Sequence, residues 1–413
     1  MHPVETVSPR AWMTAPAPTA VFAALGAGGA VGRFVGGCVR NLVIGGPVTD
    51  FDVATDAAPL RVIELAAAAG LKSVPTGIAH GTVTVVADGT PVEVTTLRRD
   101  VETDGRRAVV AFTDDWAEDA ARRDFTLNAL YLDADGSLYD PTGSGLADAR
   151  AGRIRFVGDP ETRIREDVLR VLRFFRFFAA YGRAEPDAAG LAACAALAER
   201  MSSLSGERVW NELAKLLVAE RAPETLRIMA EEGVARYLWE GPIDVGRAAA
   251  LIERERALGV PVEPVRRLAA LIGGLDAAEA VAERLRLSRM EERRVERGLA
   301  APGDPLPDDA ARRAAVYRHG AEAWIDARFI RAAETGEDDS ALIADLALAR
   351  AWTPPVFPLG GADVAALGVP AGPQTGRLLR AVEDWWVDGD FTADAAACRA
   401  KLAVLINRER ATP

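Results

Sequence analysis

Gly32-Arg-Phe-Val-Gly-Gly-Cys-Val-Arg-Asn-Leu-Val-Ile-Gly-Gly-Pro-Val-Thr-Asp-Phe-Asp-Val-Ala-Thr55 places a glycine turn and two closely spaced carboxylates in one short supersecondary unit. Val31 to Val35 reads as a short buried strand, and Gly36-Gly37 lets the backbone turn tightly before a helix that begins near Cys38. Such a turn leaves backbone N–H groups and the positive end of a helix dipole facing outward, an arrangement suited to a phosphate. Asp50 and Asp52 are two apart in an apolar, β-branched setting, and on a strand they share one face. Two carboxylates on one face repel each other unless a divalent cation lies between them. With a phosphate-binding turn beside them, they point to Mg²⁺-dependent chemistry at a triphosphate.

Alone, a Gly-Gly turn or an Asp-x-Asp pair is common; the ordered combination is specific. Val-Gly-Gly-x-Val-Arg followed by Asp-Phe-Asp-Val-Ala-Thr resembles the class II CCA tRNA nucleotidyltransferase and bacterial poly(A) polymerase family, within the nucleotidyltransferase superfamily. Asn41 departs from that family's usual Asp after Val-Arg, keeping a hydrogen-bond acceptor without the charge.

Around this unit the 413 residues are too many for a single core. Val/Thr alternation is confined to the first part, and alanine-rich helical periodicity takes over after about residue 160. The fold class expected is α+β. The resemblance divides it into a mixed-sheet nucleotidyltransferase head with helices (1–145), then an all-α neck (146–205), body (206–275) and tail (276–413).

The net charge of −11 argues against nucleic-acid binding over the whole surface and makes any RNA contact local. Arg outnumbers Lys 46 to 3, first a mark of a GC-rich coding sequence and only second a phosphate-binding feature. Cys38, Cys194 and Cys398 lie singly, without metal spacing, as expected of a reducing compartment. No apolar run is long enough to span a membrane, and the N-terminus lacks a signal-peptide core. A cytoplasmic protein is expected, with no protein partner inferable. His2, His80 and His319 form no His-Asp cluster, so the phosphohydrolase domain appended to some relatives is not expected.

Past the carboxylate pair, a helix over 59–70 precedes strands at Leu71–Val74, Gly81–Val86 and Pro91–Leu97, the last two joined by an Asp88-Gly89 hairpin turn. Alternation in Val92-Glu-Val-Thr-Thr-Leu-Arg98 puts Glu93 and Thr95 on one face, where Glu93 can complete the metal site; the family carries Glu in the same phrase. Residues 98–116 are polar and read as a mobile loop. Their wording around Asp104-Gly105-Arg106 looks like the flexible element of enzymes that add the complete CCA end. Arg122-Arg-Asp-Phe-Thr-Leu-Asn-Ala-Leu130 resembles the family's Arg-Arg-Asp-Phe-Thr motif. Arg123 supplies a guanidinium suited to triphosphate oxygens, and Asp124 and Asn128 can hydrogen-bond a ribose hydroxyl. Gly36, Gly37 and Arg40 join them as the expected nucleotide-binding set.

A strand at Ile154–Val157 and one long helix from Pro160 to Tyr181 are expected next, the helix burying Ile164, Val168, Leu172, Phe175 and Ala179. Off that stripe lie Glu166, Asp167, Arg170 and Arg173. At three and four apart these read either as surface ion pairs contributing about 0.2–0.5 kcal/mol each, or as a base reader. Cytosine and adenine both present an amino donor beside an unprotonated ring nitrogen. An Asp acceptor next to an Arg donor therefore fits C and A and leaves groups unpaired against G and U. Glu-Asp-x-x-Arg also resembles the family's nucleotide-selecting motif, which puts selection on Asp167 and Arg170 with Glu166 orienting the arginine. Glu207-Arg-x-x-x-Glu-Leu213 matches a family phrase expected to pack behind the nucleotide. The Gly/Pro-rich stretches at 358–364 and 368–379 resemble a tRNA-binding tail, with Arg377 available for RNA phosphates.

The activity implied is addition of CCA to the 3′ end of tRNA from CTP and ATP, with Asp50, Asp52 and Glu93 catalytic and Asp50 and Asp52 holding Mg²⁺. A poly(A) polymerase on the same scaffold is the alternative, and an inactive RNA-binding module a third. If the Asp104-Gly105-Arg106 segment moves the site from C to A specificity, deleting residues 102–108 yields tRNA ending in CC with AMP addition selectively lost. Equal slowing of all three additions, measured on sequencing gels, would make the segment merely structural.

Overall fold

The structure, a computed structural model, describes residues 1–104 and 107–411. The chain forms two compact units, Met1–Glu240 and Gly241–Pro413.

The first unit runs β1 (Glu5–Thr6), α1 (Pro16–Ala27), β2 (Gly32–Val35), α2 (Gly37–Ile44), β3 (Asp52–Thr55), α3 (Pro59–Ala68), β4 (Lys72–Gly77), β5 (Thr82–Ala87), β6 (Thr90–Thr96), β7 (Arg98–Asp104), β8 (Arg107–Phe112), α4 (Trp116–Ala121), β9 (Tyr131–Leu132) and β10 (Ser137–Tyr139). Six helices follow: α5 (Gly145–Ala151), α6 (Pro160–Glu166), α7 (Arg170–Tyr181), α8 (Ala188–Leu197), α9 (Gly206–Leu217) and α10 (Ala222–Glu231). Eight strands make one mixed sheet in the order β1-β10-β9-β2-β3-β6-β5-β4, and β7 and β8 pair by themselves. Within the large sheet β3 and β6 run parallel, in register Asp52 to Glu93 and Thr55 to Thr96. The β5–β6 hairpin closes through Asp88 and Gly89, both at positive φ (48° and 73°), the signature of the Asp-Gly turn expected from the sequence.

The sheet buries both faces by alternation. Phe34, Val53 and Val94 are fully buried, whereas Val35, Ala54, Leu97 and Tyr131 pack with Ala120 and Ala129 in a separate cluster. Asp52 lies at the open end of β3, paired across from Val35.

Three local expectations change. Residues 98–104 and 107–112 pair as β7 and β8 rather than forming an open loop, consistent with the β-branched run at Val109-Val110. Gly105 and Arg106, at the centre of the element expected to switch specificity, lie outside the described residues. Ile154–Val157 is no strand; it contributes only an isolated bridge from Phe156 to Phe125. The helix expected from Pro160 to Tyr181 breaks into α6 and α7 at Asp167, whose backbone is extended (φ −150°, ψ 105°). The Asp167 side chain accepts the Leu169 N–H at 3.1 Å, the local side-chain competition that makes Asp a poor helix interior residue. Val168, at the break, is only half-buried. Beyond it α7 buries Val171, Leu172, Phe174, Phe175, Phe177, Phe178 and Ala179.

The second unit is built of helices joined by irregular segments, with one isolated bridge between Ile243 and Ile272 among its described residues: α11 (Val245–Ala257), α12 (Pro264–Leu271), α13 (Ala278–Leu285), α14 (Arg289–Ala300), α15 (Asp309–His319), α16 (Ala321–Thr335), α17 (Asp339–Ala351), α18 (Gly361–Ala366), α19 (Pro373–Asp388) and α20 (Ala395–Ala411). Its interior holds ion pairs as well as apolar contacts. Glu255 accepts from both Arg266 (2.5 Å) and Arg267 (2.6 Å), and Arg328 pairs with Asp345 at 2.6 Å, both fully buried. The tail's Leu359, Val364 and Leu378 belong to a core completed by Val382, Trp386 and Leu402. Arg377 is exposed. Among the described residues no helix is long and apolar enough to cross a membrane.

Candidate active site

Gly36 adopts φ 74°, ψ −124°, a conformation L side chains rarely take, and α2 starts at the next residue. A side chain at Gly36 would point toward the Arg123 guanidinium, 3.7 Å from Nη1. Cys38, in the first turn of α2, donates to the Val35 carbonyl at 3.3 Å. Its thiol is pushed up to about 11 by burial and by the negative charge of Asp52, although the Asp52 backbone N–H favours the thiolate. The glycine turn and the first carboxylate of β3 are thus direct neighbours.

Asp52 opens β3, and its register partner on the parallel strand β6 is Glu93. Asp50 does not share the strand; it sits in the connecting segment just before it, its carboxylate accepting from Thr49 Oγ1 at 3.1 Å. The Asp52 carboxyl is raised above its ordinary value, first by desolvation, then by repulsion from Glu93 and Asp50, with Arg123 opposing. Among the described residues none of the three acids forms a salt bridge, and no three His, Cys, Asp or Glu side chains converge as a ready-made metal cage. The donor set is nonetheless the one magnesium takes, since that ion is ordinarily held by one or two carboxylates plus substrate phosphates.

Beside the acids stands a cluster that the sequence did not reveal. Asp119, buried in α4, accepts from Arg122 at 2.6 Å, from Arg123 at 3.0 Å and from the Tyr131 hydroxyl at 2.7 Å. Burial alone would push its carboxyl up; the two guanidiniums and the tyrosine overcome this and hold it at about 2. The signal was present in the spacing, since Asp119 lies three and four residues before the two arginines, which follow directly on the end of α4.

Behind that, a hydrogen-bonded chain joins the sheet to α7. Arg40, 7% exposed, donates to Asn128 Oδ1 at 2.8 Å and to the Tyr181 hydroxyl at 2.8 Å, with its guanidinium 3.9 Å over the Tyr181 ring. Asn128 donates to Asp124 Oδ1 at 3.1 Å, and Arg173 Nε donates to Asp124 Oδ2 at 2.9 Å. Burial opposes ionisation of Asp124, but Arg173 and Asn128 hold its carboxyl below the usual range. Arg40, Asp124 and Asn128 therefore spend their polar groups on one another. Gly37 lies against this chain, a Cβ there falling 3.6 Å from Arg40 Nη2.

At the break between α6 and α7, Arg170 donates to Glu166 at 2.6 Å and to the Arg163 carbonyl at 2.8 Å. Asp167 pairs with Arg208 of α9 at 2.7 Å instead of with Arg170. Glu212, one turn further on, pairs with Arg176 at 2.5 Å and with Arg173 at 3.6 Å. The Glu-Arg-x-x-x-Glu-Leu phrase thus does more than pack: it supplies an arginine to one site residue and a carboxylate to another.

Residues 32–155 match the family model "Poly A polymerase head domain", and residues 186–242 match "Probable RNA and SrmB- binding site of polymerase A". The chain is similar to the mitochondrial CCA tRNA nucleotidyltransferase 1 of Danio rerio, 34% identical over 368 residues that span 86% of this chain and 83% of the relative. It is 40% identical over 212 residues to the CCA-adding enzyme of Geobacillus thermodenitrificans, half of each chain. Among solved structures, the Bacillus stearothermophilus CCA-adding enzyme in complex with CTP superposes with a TM-score of 0.76 at 29% identity, over 94% of this chain and 96% of that one.

Two measurements test the electrostatics. A folded-state pKa raised above the unfolded value gives stability that is present at low pH and lost as pH rises, so at neutral pH the Asp52 charge works against the fold. Because the Asp52 side chain is exposed and screened by solvent, Asp52→Asn should raise the thermal midpoint of the metal-free protein at pH 7.5 only slightly, a gain that vanishes below pH ~4. Asp119 has the opposite sign: its depressed pKa stabilises the fold above the ordinary carboxylate range and that contribution is lost as pH falls toward about 2. Asp119→Asn, which strands two arginines, should cost about 3–5 kcal/mol in urea unfolding at pH 7.

Proposed function

The chain belongs to the CCA tRNA nucleotidyltransferase family, and from that membership we propose that it adds C, C and A to the 3′ end of tRNA from CTP and ATP without a nucleic-acid template. The observation that carries the reading is the juxtaposition of Asp52 and Glu93 on adjacent parallel strands beside the Gly36-Gly37 turn.

In the reaction the tRNA 3′-hydroxyl oxygen bonds to the α-phosphorus, the α–β bridging P–O bond breaks, and pyrophosphate leaves. Asp50 and Asp52 would hold the divalent ion that the family requires, which we take to be Mg²⁺; when bound it supplies Lewis-acid polarisation of the hydroxyl and neutralises triphosphate charge. Glu93 extends the acidic wall on the neighbouring strand, next to where the hydroxyl loses its proton. The first N–H groups of α2, at Gly37 and Cys38, face the triphosphate together with Arg123. Arg173, anchored by Asp124 and Glu212, and the Arg40–Asn128–Asp124 chain form the floor under the ribose.

Selection of the base is assigned to the helix break. Arg170, fixed by Glu166, offers donors, and Asp167, fixed by Arg208, offers an acceptor, the complement of the edge that C and A share. The finer division into head (1–145), neck (146–205), body (206–275) and tail (276–413) belongs to the same proposal. A cytoplasmic location is supported by Cys38, Cys194 and Cys398, buried and free of disulfides.

Incubating the protein with tRNA that lacks its terminal CCA, with CTP, with ATP and with both, tests the reading. CTP alone should add two residues, and both together a complete end. Long AMP tracts would make the chain a poly(A) polymerase, and binding without incorporation an RNA-binding module. In the active protein, reversing polarity with Asp167→Arg and Arg170→Asp should move the kcat/KM ratio toward UTP or GTP by about tenfold or more. A double variant that is only slower, with its preference unchanged, places selection elsewhere.

A further inference from the structure

The surroundings of Asn41, in α2, use both ends of its side-chain amide. Its side-chain Nδ2 donates to the Pro47 carbonyl at 2.7 Å. Its Oδ1 accepts from Arg40 Nε at 3.2 Å and Nη2 at 3.0 Å. Its own backbone carbonyl accepts the Gly46 N–H at 2.8 Å. The residue therefore grips the 45–49 segment twice and Arg40 twice.

Those two partners lead to different halves of the site. The 45–49 segment runs directly into Asp50, which lies outside β3 and has no sheet hydrogen bonds to place it. Arg40 leads through Asn128 to Asp124 and so to Arg173. An amide can donate to one side and accept from the other at the same time; an ionised carboxylate accepts only. Asp at 41 would hold Arg40 at least as well, through a charge-assisted bond, but would set an oxygen against the Pro47 carbonyl and loosen the segment, leaving the backbone bond from Gly46 as its remaining tie to residue 41.

We infer that Asn41 is a positioning residue that ties the segment presenting Asp50 to the Arg40–Asn128–Asp124 chain, and that in this chain the amide, not the acid, is required for that tie. The inference rests on the functional reading above.

The test compares Asn41→Asp with Asn41→Ala. Asn41→Asp severs the Pro47 link and keeps the Arg40 link. Its kcat for CMP addition should fall about tenfold with KM for the tRNA within about twofold of the wild type, and the rise in unfolding midpoint produced by Mg²⁺ with CTP should shrink. Asn41→Ala severs both links, so KM for CTP should rise as well. Wild-type kcat and an undiminished thermal shift in Asn41→Asp would overturn the inference. So would equal losses of kcat and KM in both variants, or a failure of Asn41→Asp to fold, either of which would make Asn41 a packing residue. If the wild type itself adds nothing to tRNA, the functional reading fails, while the Mg²⁺ and CTP shift, compared between wild type and Asn41→Asp, still decides the role of Asn41.

Discussion

Repulsion between like charges governs the arrangement. Asp52 and Glu93 are register neighbours because β3 and β6 run parallel through the middle of the sheet, and the hydrogen bonds of both strands fix them there. The register keeps the two acids beside each other, and Asp52 responds with a pKa raised first by desolvation and then by repulsion from Glu93. A sheet that concentrates negative charge at one edge needs a cation to settle it, and a triphosphate with its metal is a cation-bearing ligand of the right kind. The neighbouring features follow from that constraint. The glycine turn brings N–H groups rather than another side chain to the same edge, and Arg123 is kept close by Asp119 rather than left to pair with the acids.

The arginines show the same economy. Asp119, Asp124, Glu166 and Glu212 each bind one or two guanidiniums at the rim of the site, so that Arg122, Arg123, Arg170, Arg173 and Arg176 are held in fixed orientations. A guanidinium pre-oriented by one carboxylate retains donors for a ligand and loses less conformational freedom on binding it. Fixed donors and acceptors are what discrimination between bases demands, since a mobile pair could reorganise to satisfy G or U as well.

Much of this was legible in the sequence because the decisive signals are local. The alternation of Val92–Leu97, the Asp88-Gly89 turn and the Gly36-Gly37 junction each follow from backbone preferences within a few residues. What escaped was non-local or set by competition. That Asp167 meets Arg208 across 41 positions depends on the packing of α9 against α7, which no spacing rule reports. The break at Asp167 reflects a side chain outcompeting the helical ladder, in a stretch whose apolar periodicity reads straight through it. Ile154–Val157 has strand composition, but only Phe156 finds a bridging partner, at Phe125. Asp119 was visible at helical spacing from Arg122 and Arg123, yet its burial beneath Tyr131 was not.

The central claim is that Asp50 and Asp52, with Glu93 beside them on the neighbouring strand, hold the divalent ion. Anomalous diffraction from crystals soaked with Mn²⁺ and CTP tests it most directly. The account predicts a manganese peak bounded by the carboxylates of Asp50 and Asp52 and by triphosphate oxygens, lost in Asp52→Asn. A peak elsewhere in the molecule, or one that persists unchanged in Asp52→Asn, would contradict it.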